Sequence, residues 1–312
     1  MNRRDFALGA GALALTACAT RPALAADPLL FAYFTSGKGE ADGLKLAASD
    51  DGFTFRPLAA GRSLLVPQVG ETKLLRDPFL FHDGATFHLL WTTAWEGVTI
   101  GHATSADLIR WSPQRALPVM ATVPGTCNCW APEAIYNPVA RHWMLFWSST
   151  VTGLYPDTAG TSESGYNHRL WSTTTPDFVT FTPPQPLYDP GFSLIDGSFA
   201  RAPDGSLHLI IKDETLTPPR KWLRSAPAQS PAGPFGPLSP PFSPSWVEGP
   251  MTAQVGDALI CYYDVYKEGR WGAAITRDML TWSDVSPRVI MPPGARHGSL
   301  LRVPRRIIAA IG

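Results

Sequence analysis

The chain has 312 residues with 26 basic and 26 acidic side chains, so its formal net charge is zero. A neutral chain without a Lys/Arg-rich run excludes a general polyanion binder, because nucleic-acid affinity comes mostly from cationic neutralisation of phosphates. The 31 prolines, twice the average share of about 5%, exclude a mainly helical protein. Aromatic residues make up 11% of the chain, which is not typical of disorder. The composition therefore predicts a compact, loop-rich, all-β protein.

The N-terminus resembles an export signal. Arg3-Arg4 precedes an apolar run from Ala7 to Ala17, as in a twin-arginine signal. This run is shorter than the about 20 apolar residues that span a bilayer. Two processing sites are compatible with the sequence: a lipoprotein box that would leave Cys18 lipidated, and cleavage after Ala25.

These features predict an export signal over residues 1–26 and a single domain over residues 27–312. We expect the mature protein to be periplasmic, secreted or lipid-anchored at the envelope. A lipid on Cys18 is the one membrane contact that we expect, and the oligomeric state stays open.

Three further cysteines form no recognisable metal motif. Cys127 and Cys129 are two residues apart, but no second CxC or CxxC pair accompanies them, which argues against a zinc site. A short-loop disulfide between them is an alternative. We favour partly buried free thiols for these two and for Cys261.

A repeat runs through the chain after the signal. Strand-like runs are separated by turn residues, as at Asp83-Gly84 and Asp204-Gly205, which are strong hairpin signals. A segment with an Asp near its end recurs at spacings near 50, and in each full copy an aromatic residue follows the Asp by four positions. Its copies are residues 47–55, 103–111, 172–181 and 274–282, with a degenerate copy at 224–235. Several strands in each such period are typical of propeller blades.

The first repeat is incomplete, and the C-terminus supplies what it lacks. Strand-like runs at 29–34 and 43–55 have no polar-tipped inner strand, whereas residues 297–303 form a lone strand. Pairing of the two chain ends would complete one blade and remove exposed sheet edges. We therefore predict a five-bladed β-propeller that is closed by its N-terminal and C-terminal strands.

Each inner strand begins with a polar motif. In chain order the motifs are Arg76-Asp77-Pro78, Trp130-Ala131-Pro132-Glu133, Ile195-Asp196-Gly197, Glu248-Gly249-Pro250 and Arg296-His297-Gly298. Because the inner strands of a propeller converge on a central channel, we expect four carboxylates and one histidine to face a single cavity.

This ordered set of motifs resembles glycoside hydrolase family 43, a family of five-bladed glycosidases, over nearly the whole chain after the signal. The resemblance implies an inverting hydrolase that cleaves terminal glycosidic bonds of a carbohydrate, first of all α-L-arabinofuranosides. By motif, Asp77 resembles the catalytic base, Asp196 the carboxylate that modulates the acid, and Glu248 the general acid. His297 resembles a channel histidine near a water or a single calcium-like cation; no cofactor is required.

The chemistry of inversion explains why such a set is needed. One carboxylate activates a water and one carboxylic acid protonates the leaving oxygen, with the two about 6.5–9.5 Å apart to admit that water. A third, ionised carboxylate raises the pKa of the acid by like-charge repulsion. An arginine beside the base acts in the other direction and keeps the base ionised, which is the role that we expect for Arg76.

Two features depart from the family pattern. Glu133 stands where the family more often has Asp, and Arg76-Asp77-Pro78 is closer to fructosidase relatives of the same superfold. The preceding strand-like run carries no Asp-Pro nucleophile of the fructosidase kind. Further candidates for substrate binding, because sugars stack on aromatic rings and hydrogen-bond to polar groups, are Arg76, Trp95, Trp130, Glu133, Asn167, His168, Arg169, Lys212 and His297.

Three alternatives remain open from the sequence. The same fold could act on β-xylosides, galactofuranosides or fructosides. A transglycosylase or a phosphorylase on the same propeller is a second alternative. The phosphorylase would need cations for phosphate, for which Arg76 and Arg169 are available. A sugar-binding propeller without catalysis is the third alternative, and the three carboxylates of the motifs argue against it.

Overall fold

The computed structural model describes residues 27–35 and 42–312. The export signal predicted for residues 1–26, including Cys18, lies outside the described residues. In the described part of the chain, the regular secondary structure is almost entirely β-strand, as the composition predicts. No helix in residues 27–35 and 42–312 combines the length and the apolar composition needed to cross a bilayer.

The strands are short and evenly spread. In chain order they are β1 (Leu29–Tyr33), β2 (Lys45–Ser49), β3 (Arg56–Pro57), β4 (Arg76–His82), β5 (Phe87–Thr92), β6 (Ile100–Ser105), β7 (Arg115–Leu117), β8 (Trp130–Asn137), β9 (His142–Ser149), β10 (Arg169–Thr175), β11 (Gln185–Tyr188), β12 (Leu194–Arg201), β13 (Leu207–Asp213), β14 (Leu223–Ala228), β15 (Glu248–Val255), β16 (Ala258–Val265), β17 (Arg270–Thr276), β18 (Ser283–Asp284) and β19 (Ser299–Arg302). One helix, α1 (Arg305–Ile311), follows them, and short 3-10 turns lie at Ala59–Gly61, Pro156–Thr158, Glu163–Gly165 and Ser286–Arg288.

These strands form five antiparallel sheets that are the blades of a propeller. The first blade is β4–β7, the second β8–β11, the third β12–β14 and the fourth β15–β18. The closing blade has the order β19-β1-β2-β3. The inner strands β4, β8, β12, β15 and β19 contact one another in a ring, with β19 returning to β4. The predicted five-bladed propeller is confirmed.

The closing blade joins the two ends of the described chain. Strand β19 pairs antiparallel with β1, with Leu29 opposite Arg302 and Ala32 opposite Ser299. The third blade has three strands instead of four, and it is the one that carries the degenerate copy of the sequence repeat.

The repeated Asp closes a turn after the third strand of a blade. In the copy at Asp278, its Oδ1 accepts hydrogen bonds from the backbone N–H groups of Leu280 (2.9 Å) and Thr281 (2.7 Å). Asp51, Asp107 and Asp177 make the same pair of bonds. A carboxylate that satisfies two backbone donors two and three residues ahead favours a turn, which is why this residue recurs.

The hydrophobic core consists of five layers, each between two neighbouring blades. Successive residues of a strand face opposite blades: Leu259 and Cys261 of β16 pack towards the third blade, and Ile260 and Tyr262 towards the closing blade. Trp91 is fully buried in such a layer. A methyl group added at Gly101 would lie 1.9 Å from Cε2 of Trp91, so this position requires glycine.

The three described cysteines are free thiols, as the sequence favours. Cys129 and Cys261 are buried, and Cys127 is partly exposed. Burial raises the pKa of both buried thiols.

Candidate active site

Four inner strands carry a β-bulge close to their first residue. In β4 the pairing register shifts between Arg76 and Phe79, and equivalent shifts occur in β8, β12 and β15. The residue at the bulge has a left-handed backbone: φ is 50° at Asp77, 47° at Ala131, 54° at Asp196 and 61° at Gly249. Bulges redirect side chains and are frequent beside active sites. Here they place Asp77 and Asp196 at equivalent positions of two blades.

The four predicted carboxylates consequently lie at three levels of the channel. Asp77 and Asp196 occupy the bulge, Glu248 precedes it by one residue, and Glu133 follows it by two. The sequence motifs predict that all four face a single cavity. The structure brings Asp77, Asp196 and Glu248 together in one cavity, whereas Glu133 lies outside that cavity and is 8% exposed.

A cavity of about 460 Å³ opens where the inner strands begin. Its walls come from all five blades and from the segment before β10. The lining residues are Arg76, Asp77, Thr92, Trp95, Trp130, Glu163, Ser164, Tyr166, His168, Ile195, Asp196, Lys212, Glu214, Glu248, Tyr266 and His297.

A larger cavity of about 820 Å³ lies on the flank of the fourth blade. Its lining is rich in proline and contains a single carboxylate, Asp284. The chemistry that the resemblance implies needs two carboxyl groups in one cavity, and the larger cavity has only one. The smaller cavity is therefore the candidate active site.

Asp77 is held as a carboxylate. Its Oδ2 accepts a hydrogen bond from Oγ1 of Thr92 at 2.8 Å, and its Oδ1 lies 3.3 Å from Nδ1 of His297. Burial acts to raise the pKa of Asp77, but the hydrogen bond and charge of His297 and the charge of Arg76 hold it below its usual value. The effect expected for Arg76 is therefore present in the structure.

Asp196 and His297 form the buried centre of the site. Nδ1 of His297 is 3.9 Å from Oδ2 of Asp196, and the same oxygen accepts a hydrogen bond from the backbone N–H of Gly249 at 2.9 Å. Burial raises the pKa of Asp196 to about 6, with the charges of Glu248 and Asp77 acting in the same direction. A methyl group at Gly249 would lie 2.4 Å from Cγ of His297, which explains the glycine after Glu248.

His297 carries the positive charge between two carboxylates. Burial acts to lower its pKa, but Asp196 and Asp77 outweigh burial and raise it to about 9. Among the described residues, no group of three or more His, Cys, Asp or Glu side chains is arranged to hold a metal ion. The side chains around His297 therefore do not form a set of ligands for the calcium-like cation.

Glu248 lies between two cations. Its Oε2 is 3.3 Å from Nζ of Lys212, and its Oε1 is 3.2 Å from a guanidinium nitrogen of Arg296. Arg296 also pairs with the buried Asp264. The side chain of Glu248 is 20% exposed, more than those of Asp77 and Asp196, as suits a group that reaches a leaving oxygen at the cavity mouth.

Aromatic rings form one wall of the cavity. Trp130 meets Trp95 edge to face at 5.7 Å between centroids, and its Nε1 donates to the carbonyl oxygen of Trp95 at 2.9 Å. Trp95 is 49% exposed, and the guanidinium of Arg76 lies 4.6 Å above its ring. His168 packs against Trp130 at 4.8 Å, and burial lowers its pKa to about 3, so its imidazole is neutral.

Besides Glu133, two predicted substrate-binding residues lie outside this cavity. Arg169 is 1% exposed and pairs with Asp189, and its guanidinium also donates to Thr158 at 2.9 Å. Asn167 is 7% exposed, and its Nδ2 donates to the carbonyl oxygen of Tyr155 at 2.8 Å. Both side chains hold the segment 155–166 against the second blade. They therefore support a segment whose residues Glu163, Ser164 and Tyr166 line the cavity.

Glu133 gives a pH-dependent prediction. Burial raises its pKa to about 8, against about 4.3 in an unfolded chain. A raised acid pKa means that folding takes up a proton, so the stability of the folded protein falls as pH rises from about 4.3 to about 8. Glu133→Gln, which mimics the protonated acid, removes this loss. We expect the variant to gain stability over the wild type between pH 5 and pH 8, measured by thermal unfolding, with hydrolytic activity within about twofold of the wild type. A stability difference that does not change with pH contradicts the prediction.

Sequence reasoning missed several residues of the site. Glu214, Arg296, Asp264, Thr92, Tyr166 and Tyr266 all face the cavity or the ion pairs beside Glu248. A signal was present for Glu214, because Lys212-Asp213-Glu214 is a run of three charges at the end of the apolar strand β13. The others lie in separate strands or in the segments between strands, and they become neighbours only in the folded chain.

Comparison with known proteins identifies the family of this chain. A family model described as a probable glycosyl hydrolase domain, related to glycoside hydrolase family 43, matches residues 27–307. An α-L-arabinofuranosidase from Bifidobacterium longum subsp. longum is 27% identical over 203 residues, which cover 57% of this chain. The match spans only 19% of that much longer protein.

Solved structures share the fold at low identity. A thermostable family-43 glycoside hydrolase superposes with a TM-score of 0.57 at 17% identity, covering 72% of this chain and 78% of the other. An exo-β-1,3-galactanase from Phanerochaete chrysosporium superposes with a TM-score of 0.53 at 12% identity, covering 67% of this chain and 49% of the other.

The family model matches residues 27–307, which is most of the chain. This chain therefore belongs to the family of probable glycosyl hydrolase domains related to glycoside hydrolase family 43.

Proposed function

We propose that this protein is an inverting glycoside hydrolase that removes terminal α-L-arabinofuranosyl residues from an oligosaccharide or polysaccharide. The observation that carries the proposal is the placement of Asp77, Asp196 and Glu248 around one cavity with His297 at its centre. The similarity to an α-L-arabinofuranosidase supports the choice of sugar.

In the proposed reaction, Asp77 is the base. A water bound at its carboxylate attacks the anomeric carbon and gives a proton to Asp77 as the new C–O bond forms. The bond from the anomeric carbon to the leaving oxygen breaks, and its electron pair takes the proton of the Glu248 carboxylic acid. The products are the free sugar of inverted configuration and an alcohol. Exchange of one proton with solvent then returns Asp77 and Glu248 to their starting states.

Asp196 and His297 serve the two catalytic carboxyl groups. The imidazolium of His297 favours the ionised form of Asp77, which a base requires. The charge of Asp196 favours a protonated neighbour, and its hydrogen bond to the N–H of Gly249 fixes the backbone beside Glu248. Trp95 and Trp130 offer rings on which the C–H face of a sugar stacks.

Two measurements test the proposal. Aryl α-L-arabinofuranosides, β-xylosides, β-galactosides, β-galactofuranosides and β-fructofuranosides are compared as substrates, and the first-formed sugar is observed by NMR. We expect turnover of the arabinofuranoside and a product of inverted anomeric configuration. Turnover restricted to another glycoside contradicts the substrate, a retained anomer contradicts the mechanism, and glycan binding without hydrolysis of any glycoside favours the sugar-binding alternative.

Phosphorolysis has weaker support. Of the two arginines available for phosphate, Arg169 is outside the cavity and paired with Asp189, which leaves Arg76. We expect turnover of the aryl arabinofuranoside to be independent of inorganic phosphate. A rate that requires phosphate, with sugar phosphate as the product, would favour a phosphorylase instead.

The N-terminal sequence supports action outside the cytoplasm. The twin-arginine pattern at Arg3-Arg4 supports export, so we propose that the enzyme acts on carbohydrate outside the cytoplasm. A lipid on Cys18 would keep it at the envelope.

A further inference from the structure

A line of ion pairs of alternating sign leads from Glu248 to the surface of the protein. Nζ of Lys212 lies 3.3 Å from Glu248 and 2.8 Å from Oε1 of Glu214. Oε2 of Glu214 lies 2.7 Å from Nζ of Lys221, which in turn lies 3.4 Å from Oε2 of Glu163. Glu163 precedes Ser164 and Tyr166, which line the same cavity. The line therefore connects a wall of the cavity to the proposed general acid.

The line continues on the other side of Glu248. Arg296 contacts Oε1 of Glu248 at 3.2 Å and pairs with the buried Asp264. We refer to these seven residues as the charge line: Glu163, Lys221, Glu214, Lys212, Glu248, Arg296 and Asp264.

Most of the charge line is buried. The side chains of Lys221, Lys212 and Glu214 are 0%, 3% and 7% exposed, whereas Glu163 at its end is 49% exposed. Buried charges are stable only when paired, and here Glu214 is the one carboxylate that contacts both lysines. Without Glu214, the remaining carboxylate within 4 Å of Lys212 among the described residues would be Glu248.

Apart from Glu248, the charge line holds equal numbers of opposite charges. The cations are Lys221, Lys212 and Arg296, and the carboxylates are Glu163, Glu214 and Asp264. Glu214 and Asp264 each neutralise a cation that would otherwise favour the ionised form of Glu248. This is the balance that a general acid requires before reaction.

We infer that Glu214 is a positioning residue for the general acid, and that Glu163 acts in the same direction through Lys221. Glu214 keeps Lys212 partly neutralised, so that Lys212 orients the carboxyl group of Glu248 without removing its proton. This inference rests on the proposed function, because it presumes that Glu248 protonates the leaving oxygen. The charged and titratable groups that face Glu248 are Lys212, Arg296, Asp264, Asp196, His297 and Tyr266.

The test compares two substrates in one preparation of Glu214→Gln. Methyl α-L-arabinofuranoside needs protonation of its leaving oxygen, and the 2,4-dinitrophenyl α-L-arabinofuranoside does not. We expect kcat/KM for the methyl glycoside to fall about tenfold, part of the about 10²–10⁴-fold that a general acid contributes, with less than a twofold change for the dinitrophenyl glycoside. The alkaline limb of the pH profile for the methyl glycoside should move to lower pH, because Lys212 is then less neutralised and acts more strongly on Glu248.

The ratio of the two rates does not depend on how much of the variant is folded, because both substrates report on the same folded fraction. Glu163→Gln changes an exposed carboxylate and should move the ratio in the same direction by about twofold to threefold, as suits a partly exposed ion pair. Asp257→Asn is the matched control, since it removes a carboxylate from the exposed pair with Arg277 at the opposite end of β15. It should leave the ratio unchanged.

The outcomes separate this inference from the proposed function. If Glu248→Gln changes the ratio but Glu214→Gln does not, the inference is wrong and the assignment of the acid stands. If Glu248→Gln leaves the ratio unchanged, the assignment of the acid is wrong as well. Should Glu214→Gln yield no folded protein, an unchanged ratio in Glu163→Gln overturns the inference and a changed one supports it.

Discussion

Replacing Glu248 with Gln is expected to abolish most activity towards glycosides with a poor leaving group. The amide cannot donate the proton that the leaving oxygen needs, so kcat/KM for methyl α-L-arabinofuranoside should fall by about 10²–10⁴-fold. Activated aryl glycosides leave without protonation and should lose much less. The amide oxygen of the glutamine can keep one of the two contacts of Glu248, with Lys212 or with Arg296, whereas its NH₂ group can accept from neither cation. Far-UV circular dichroism and thermal unfolding therefore accompany the kinetics, to show that the variant is folded.

Asp77→Asn is compared with Glu248→Gln to distinguish loss of the base from loss of the acid. Loss of the base removes activation of the water, which every substrate needs, so kcat should fall by a similar about 10²–10⁴-fold whatever the leaving group. Steady-state kinetics of both variants on two leaving groups is the measurement. Equal losses for both leaving groups in Glu248→Gln, or full activity in Asp77→Asn, would contradict the assigned roles.

Replacing His297 with Gln is expected to destabilise the protein strongly at neutral pH. His297 lies 3.3 Å from Asp77 and 3.9 Å from Asp196, and all three side chains are almost completely enclosed. Without the imidazolium, the two carboxylates lose the counter-charge that lies between them, while Arg76 and Lys212 still act on one carboxylate each. Breaking a buried charge pair in this way typically costs about 3–5 kcal/mol.

The same variant should change the pH dependence of stability. The pKa of His297 is about 9 in the folded protein, against about 6.5 in an unfolded chain. Its stabilising contribution is therefore fully present below pH 6.5 and lost as pH rises through 9, a loss of about 3 kcal/mol. Urea unfolding at pH 6.0, 7.5 and 9.5 measures this, with the exposed His82→Gln as control. A wild-type protein as stable at pH 9.5 as at pH 6.0, or a His297→Gln variant with the same pH slope, would show that His297 is not protonated in the folded state.

The blade count and the site motifs were predictable because they depend on local sequence. An aspartate that accepts two backbone hydrogen bonds acts within a few residues of the chain, so its recurrence marks four of the five blades directly. These aspartates are Asp51, Asp107, Asp177 and Asp278. The order of polar motifs at the inner strands could be read in the same way. Their convergence follows from the propeller itself.

Residue roles that depend on distant partners were not predictable. Glu133 and Asp196 both belong to polar motifs at the start of an inner strand. Asp196 occupies the β-bulge, where a left-handed backbone directs its side chain into the cavity, whereas Glu133 lies two residues after the equivalent bulge. Arg169 was expected to bind substrate, but it is enclosed and pairs with Asp189. Neither the bulge position nor the partner is encoded by residue type alone.

Strand periodicity, turn chemistry and motif order are short-range properties. They were sufficient to predict an all-β propeller with carboxylates at the starts of its inner strands. The folded structure was needed to show which carboxylates share a cavity and where the cations lie. It was also needed to show the ion pairs that connect Glu248 to Glu163, through Lys212, Glu214 and Lys221. Those properties arise from electrostatics between side chains that lie far apart in sequence, and such distances are set only when the blades close into a ring.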